Sequence, residues 1–135
     1  MKFHQNIYLS GAWEKPIEGM DKANLVLLFG NRSLVKDEVI MAEVRTHYPK
    51  AEIVGCTTAG EIQDTKIYDD SLCLTAIEFR HSSISVHSAS ITNSSVPEVV
   101  KNLANRINKE GLRYVMVLSD GHQINGTELV NGLQA

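Results

Sequence analysis

The apolar residues of this chain fall into two rhythms. "NLVLLFG" (24–30) and "AEIVGC" (51–56) are short, nearly continuous apolar runs, each running into a glycine. A strand covered on both faces reads this way, which favours a parallel sheet. Between them, 31–49 has the rhythm of a helix, with Leu34, Val35, Val39, Ala42 and Val44 at roughly helical spacing. Ser33 is the expected N-cap, Asp37 and Glu38 follow it, and Pro49 stops the helix. Residues 24–56 therefore read as a β-α-β unit, whose crossover is right-handed as a rule. Upstream, Phe3, Ile7, Leu9 and Trp13 mark an edge strand or an arm laid on the core.

Beyond residue 70 the pattern alternates. "SLCLTAIEF" (71–79) and "SISVHSASI" (83–91), separated by "RHSS", predict an antiparallel pair. The first of the two is apolar on both parities, so it is expected to be buried on both faces, with Cys73 in the core. "SSVPEVVKNLANRINKEG" (94–111) predicts a helix with Ser95 as cap, Pro97 in the first turn and Gly111 at the end. Val99, Leu103 and Ile107 form its stripe. "RYVMVLSDG" (113–121) reads as a further buried strand, and "NGTELVNGL" (125–133) opens another helix with Thr127 near its cap. The order is roughly β-α-β-β-β-α-β-α, an α/β fold with a layered mixed β-sheet flanked by helices. Residues 1–135 form one α/β domain in this reading. The chain stops at a short helix where wound α/β proteins continue to another strand, so the domain is expected to be incomplete at its C-terminus. An uncovered sheet edge also invites oligomer formation.

Composition narrows the function classes. The 135 residues carry 13 Lys and Arg against 16 Asp and Glu, a net charge of −3. No basic cluster offsets that balance, so a nucleic-acid surface is not expected. No apolar stretch approaches the ~18 residues of a membrane span, and the N-terminus lacks a signal-peptide core. The expected location is the cytoplasm, without membrane insertion. Cys56 and Cys73 are the two cysteines and read as free thiols there. The five histidines are scattered without an i, i+4 pair, so no metal site is expected. Neither G-x-G-x-x-G nor a lysine-bearing phosphate loop occurs, and no cofactor is expected.

Three expected strands end in polar, glycine-bearing turns: "FGNRS" (29–33), "GCTTAGE" (55–61) and "LSDGHQ" (118–123). Open α/β sheets bind ligands at the carboxyl ends of their strands. Parallel neighbours would bring Asn31, Arg32, Ser33, Gly55, Cys56, Thr57, Thr58, Gly60, Glu61, Ser119, Asp120, Gly121 and His122 to one edge. There the helix start after Gly30 and Arg32 suit an anionic group. Glu61 and Asp120 suit a cation such as an ammonium. A small zwitterion fits this mixture of signs. Each such turn is also ordinary strand-to-loop chemistry. The paired Asp69 and Asp70 read as a solvated loop. Cys56 follows a glycine as a nucleophile on a tight turn would, with His122 and Asp120 as its only evident partners. Catalytic thiols need a depressed pKa and a base, and buried non-catalytic cysteines are common.

Four pieces, "LVLLFGN" (25–31), "AEIVGCTTAGEI" (51–62), "DDSLCLTAIEF" (69–79) and "YVMVLSDGHQINGTELVNGL" (114–133), together resemble the N-terminal part of the FIST domain. The name stands for F-box and intracellular signal transduction proteins. The resemblance runs over residues 24–133. It implies a sensory module that binds small ligands, amino acids among them, coupled to a signalling output domain or protein. The full domain has a second, C-terminal part. The resemblance carries no catalytic residues, so Gly55, Cys56, Thr57, Thr58, Gly60, Glu61, Ser119, Asp120 and Gly121 stand as candidates for shape or binding. Three functions compete. The favoured one is a small-ligand sensor of intracellular signalling, not an enzyme. A protein-interaction or scaffold module without a small ligand comes next, and a Cys56-dependent enzyme last.

Overall fold

The computed structural model describes residues 1–91, 95–121 and 124–134. The chain forms two compact units, Met1–Ser85 and Val86–Ala135.

The first unit is built on a five-stranded mixed sheet. Its strands are β1 (Lys2–Leu9), β2 (Ala12–Trp13), β3 (Leu25–Gly30), β4 (Glu52–Thr57) and β7 (Leu72–Glu78), in the spatial order β2-β1-β7-β3-β4. Of the edge strand or arm expected at the N-terminus the strand forms, and β1 pairs along its length with β7, with β2 outside it at the edge. Ser10 and Gly11 both take positive φ, 54° and 87°. That geometry suits the tight turn of a right-twisted hairpin, and it sets Tyr8 edge-on against Trp13 with ring centroids 5.3 Å apart. The expected β-α-β unit is present: β3 and β4 are parallel, with Leu25 opposite Glu52 and Gly30 opposite Thr57. The antiparallel β7 lies on the other side of β3, with Leu72 opposite Gly30. The α/β class and the mixed sheet agree with the sequence reading.

The crossover differs in detail. One helix over 31–49 was expected. Two form instead, α1 (Arg32–Val35) and α2 (Glu38–His47). Asp37 makes the break, because its Oδ1 accepts the N–H groups of Val39 and Ile40 at 2.9 and 3.1 Å. A side chain that satisfies those orphan donors starts a new helix. The cap of α1 is Asn31 rather than Ser33: the Ser33 N–H donates to Asn31 Oδ1 at 2.9 Å. The buried stripe of α2 is Ile40 and Val44, continued by Tyr48, whereas Val39 is 78% exposed. These three residues pack on Val26, Leu28, Leu72, Leu74 and Ala76 of the sheet, with Ile17 and Ala23 closing the same cluster. Burying each such side chain contributes about 1.5–3 kcal/mol. The buried Tyr48 hydroxyl donates to the Glu18 carbonyl at 3.3 Å. Burial, then the Glu18 charge, raise its pKa from the usual 10.0.

A second, two-stranded sheet lies within 57–70, where the apolar pattern predicts no strand. It pairs β5 (Glu61–Gln63) with β6 (Lys66–Tyr68) around a turn at Asp64, φ 54°.

The second unit holds α3 (Val96–Ala104) and α4 (Gly126–Gln134). A Cβ on Gly132 would stand 2.9 Å from Val100 Cβ, so glycine lets the two helices meet closely. Helix α3 ends seven residues before the expected stop at Gly111. Downstream, Asn108 Oδ1 accepts the Glu110 N–H at 3.0 Å, a local bond that competes with helix continuation. The strands expected over 83–91 and 113–121 do not form among the described residues. Tyr114 to Leu118 are all exposed, from 83% at Tyr114 to 37% at Leu118. Both segments have strand-like composition, but a strand also needs a partner's ladder, and neither has one here. The element order is therefore β-β-β-α-α-β-β-β-β-α-α.

Candidate functional site

Topology brings two parallel strand ends and one antiparallel strand start to the same edge of the first unit. Chain continues from Gly30 and Thr57 into polar turns, and the loop Asp69–Ser71 arrives beside them to begin β7. Backbone bonds join the three. The Asn31 N–H donates to the Ser71 carbonyl at 2.8 Å, and the Thr58 N–H donates to the Gly30 carbonyl at 3.0 Å. Glycine is required at 55 for a reason the sequence did not show. A Cβ there would lie 2.0 Å from the Leu28 carbonyl oxygen of the neighbouring strand.

Side chains tie the edge together. Glu61, 4% exposed, accepts a hydrogen bond from the Thr58 hydroxyl at 2.7 Å and a short one from the fully buried Ser71 hydroxyl. Asn31 Nδ2 donates to Asp70 Oδ1 at 2.7 Å. The Cys73 thiol donates weakly to the Ile62 carbonyl at 4.0 Å, linking β7 to β5. Burial, and next the Glu61 charge, push that thiol's pKa up from 9.0. Gln63, two residues beyond Glu61, is 6% exposed, and its Oε1 has no hydrogen-bond partner.

Of the expected residues, Asn31, Thr57, Thr58 and Glu61 gather at this edge, with Gly55, Cys56 and Gly60 on the chain that carries them. The helix start after Gly30 is not a free anion cradle. Helix α1 has four residues, and both the N–H and the hydroxyl of Ser33 already donate to Asn31 Oδ1 at 2.9 Å. Arg32 is exposed. Cys56 and Cys73 both stand opposite Phe29, one on each neighbouring strand. That puts them two strand spacings apart, about 9–10 Å, too far for a disulfide without backbone movement. Ser119, Asp120 and Gly121 belong to the second unit and are exposed there. Ser119 and Asp120 line a depression of about 320 Å³ with Ser90, Ile91, Leu118 and Ile124. His122 lies outside the described residues.

Sequence reasoning missed Gln63, Asp70 and Ser71. Gln63 carried a usable signal, the two-residue spacing from Glu61 that puts both on one face of a strand. Asp70 and Ser71 carried none without the strand order. A separate depression of about 450 Å³ lies at the opposite end of the sheet, lined by Lys2, Lys22, Glu78, Phe79 and Arg80. Its charges are partly paired, Arg80 Nε to Glu78 at 3.2 Å. Among the described residues no group of three or more His, Cys, Asp or Glu is placed to hold a metal ion. Among the same residues no helix is long and apolar enough to cross a membrane.

No curated protein and no solved structure matches the chain. Residues 24–135 match the family model described as the FIST N domain. That span starts at the residue before β3 and takes in the whole polar edge, and it places the chain in the FIST N domain family, a signal-transduction-associated domain.

Proposed function

We propose that this domain is a small-ligand-binding sensory module of a cytoplasmic signal transduction system, taking amino acids or similar small carboxylates. The observation that carries the reading is the buried Glu61 carboxylate, fixed by two hydroxyls at the carboxyl edge of a parallel strand pair. Sheets of this class place ligand sites at that edge. A buried carboxylate costs stability unless it is paired or well hydrogen-bonded. Among the described residues no Lys, Arg or His forms an ion pair with Glu61. A cationic group of a ligand would supply the counter-charge that the two neutral hydroxyls do not. We read the domain as non-catalytic: no hydrogen bond activates the Cys56 thiol among the described residues, and a reactive thiol needs such a partner.

A thermal-shift screen of amino acids and related carboxylates tests this, comparing wild type with Thr58→Val and Arg32→Ala. A ligand at 100 Kd adds about 2.7 kcal/mol of stability, a clear shift for a domain of this size. The reading expects a shift that Thr58→Val abolishes. No shift with any compound removes it. One observation favours the interaction-module reading instead. Ile62 and Ile67 face each other across β5 and β6 and are 66% and 75% exposed. In that case a protein partner covers the hairpin and small ligands have no effect.

A further inference from the structure

The hairpin β5–β6 has its polarity reversed. A two-stranded hairpin laid on a core is expected to turn its apolar residues inward and its polar ones to water. Here Glu61 and Gln63 are buried, and Ile62 with its cross-strand partner Ile67 faces solvent. Glu61 and Gln63 alternate with Ile62, so their side chains leave the same face of the strand. That face carries the Glu61 carboxylate and the Gln63 amide, whose Oε1 accepts and whose Nε2 donates. The Thr58 and Ser71 hydroxyls have spent their protons on Glu61. The carboxylate keeps further lone pairs, since an ionised carboxylate has about four acceptor sites. Gln63 Oε1 is buried with no donor at all. Buried acceptors without donors are uncommon in native structures and call for a partner.

We propose that the inner face of this hairpin receives the primary ammonium group of a small ligand, with the Glu61 carboxylate and Gln63 Oε1 as its acceptors. The proposal rests on the sensory reading above and specifies which end of the ligand is held there. An ammonium brings three N–H donors, no acceptor and one positive charge. It meets the two acceptors and balances the one carboxylate. A divalent metal fits less well. Calcium sites use six to eight oxygen ligands, carboxylates prominent among them, whereas Glu61 is the sole buried carboxylate among the described residues.

The test uses the whole chain in a thermal-shift panel. Each common amino acid is paired with its decarboxylated amine and its deaminated carboxylate, with KCl as ionic control. Gln63→Leu is run alongside. Its lost Oε1 makes no hydrogen bond, so the variant is expected to fold, which Trp13 fluorescence checks. The expected result is an amino acid that shifts wild type, an amine that retains a shift and a carboxylate that gives none. Gln63→Leu then binds about tenfold more weakly or worse, the loss of a hydrogen bond to a charged group. A carboxylate that binds while its amine does not overturns the ammonium assignment and leaves the sensory reading standing. An equal shift with KCl overturns it in favour of a bare monovalent ion. If only the intact amino acid binds, unchanged affinity in Gln63→Leu overturns the assignment and a loss supports it. No response to any compound overturns both readings.

Discussion

Removing the Glu61–Ser71 bond tests the physical centre of the site. Ser71 is fully buried and donates its hydroxyl to Glu61. In Ser71→Ala the carboxylate loses one of its two donors in a site 4% exposed. A buried acceptor left without its donor costs about 1–3 kcal/mol, more when charged. In Glu61→Ala the Ser71 hydroxyl is left without an acceptor at a similar cost, offset in part by relief of burying a charge. Thr58 is exposed, so its hydroxyl recovers water and adds little. The double mutant removes both partners and avoids the second penalty. The cycle should therefore give a coupling energy of about 1.5–3 kcal/mol. Trp13 is the sole tryptophan and lies in the first unit. Urea unfolding followed by its fluorescence reads that unit, with an unchanged slope confirming that the unfolded reference is the same. A coupling energy below about 0.5 kcal/mol would refute the view that this bond fastens the edge.

Three further outcomes follow from separate parts of the structure. Gly55→Ala should destabilise the first unit by about 1–3 kcal/mol or more, the range for overpacking, because the new Cβ meets the backbone oxygen of Leu28; a urea midpoint unchanged from wild type would show that β4 yields freely. Asp37→Ala should cost about 1 kcal/mol through loss of the α2 cap, while Ser33→Ala should cost less, and the same urea assay ranks the two. Stability should also fall in alkali. The folded-state pKa of Cys73 lies above its ordinary 9.0 and that of Tyr48 above 10.0. The unfolded chain therefore loses these protons first, and stability present below pH 9 declines as pH rises through the folded values. Cys73→Ala should remove the part of the slope that begins near pH 9, and Tyr48→Phe the part that begins near pH 10. A pH–stability profile identical in all three proteins contradicts the burial argument.

Much of the first unit is legible in the sequence because its signals are local. "LVLLFG" is a continuous apolar run and "IVGC" a shorter one, and the helix between them makes them parallel neighbours. The break at Lys36–Asp37 was missed because Asp37 fits a first helical turn as well as a cap. Only the backbone geometry decides which. The hairpin β5–β6 was missed because "EIQ" and "KIY" are three residues each and carry their apolar residue on the outside. The strands expected over 83–91 and 113–121 failed for the opposite reason: their composition suits a strand, yet pairing is a property of distant chain. The site divides in the same way. Glu61 and Thr58 stand three residues apart in a glycine-rich turn and invited attention together. Ser71 entered only with the knowledge that β7 runs antiparallel beside β3, which sets the start of one strand at the end of the other.

The central claim is that a small ligand binds at the edge defined by β3, β4 and the start of β7. The most direct test is amide NMR of the whole chain, titrated with the amino acid that gives the largest thermal shift. The account predicts saturable shifts centred on Asn31, Thr58, Glu61, Gln63 and Ser71, lost in Glu61→Gln. Shifts centred on the Lys2, Lys22 and Arg80 depression at the other end of the sheet, or no saturable shift in any residue, would contradict it.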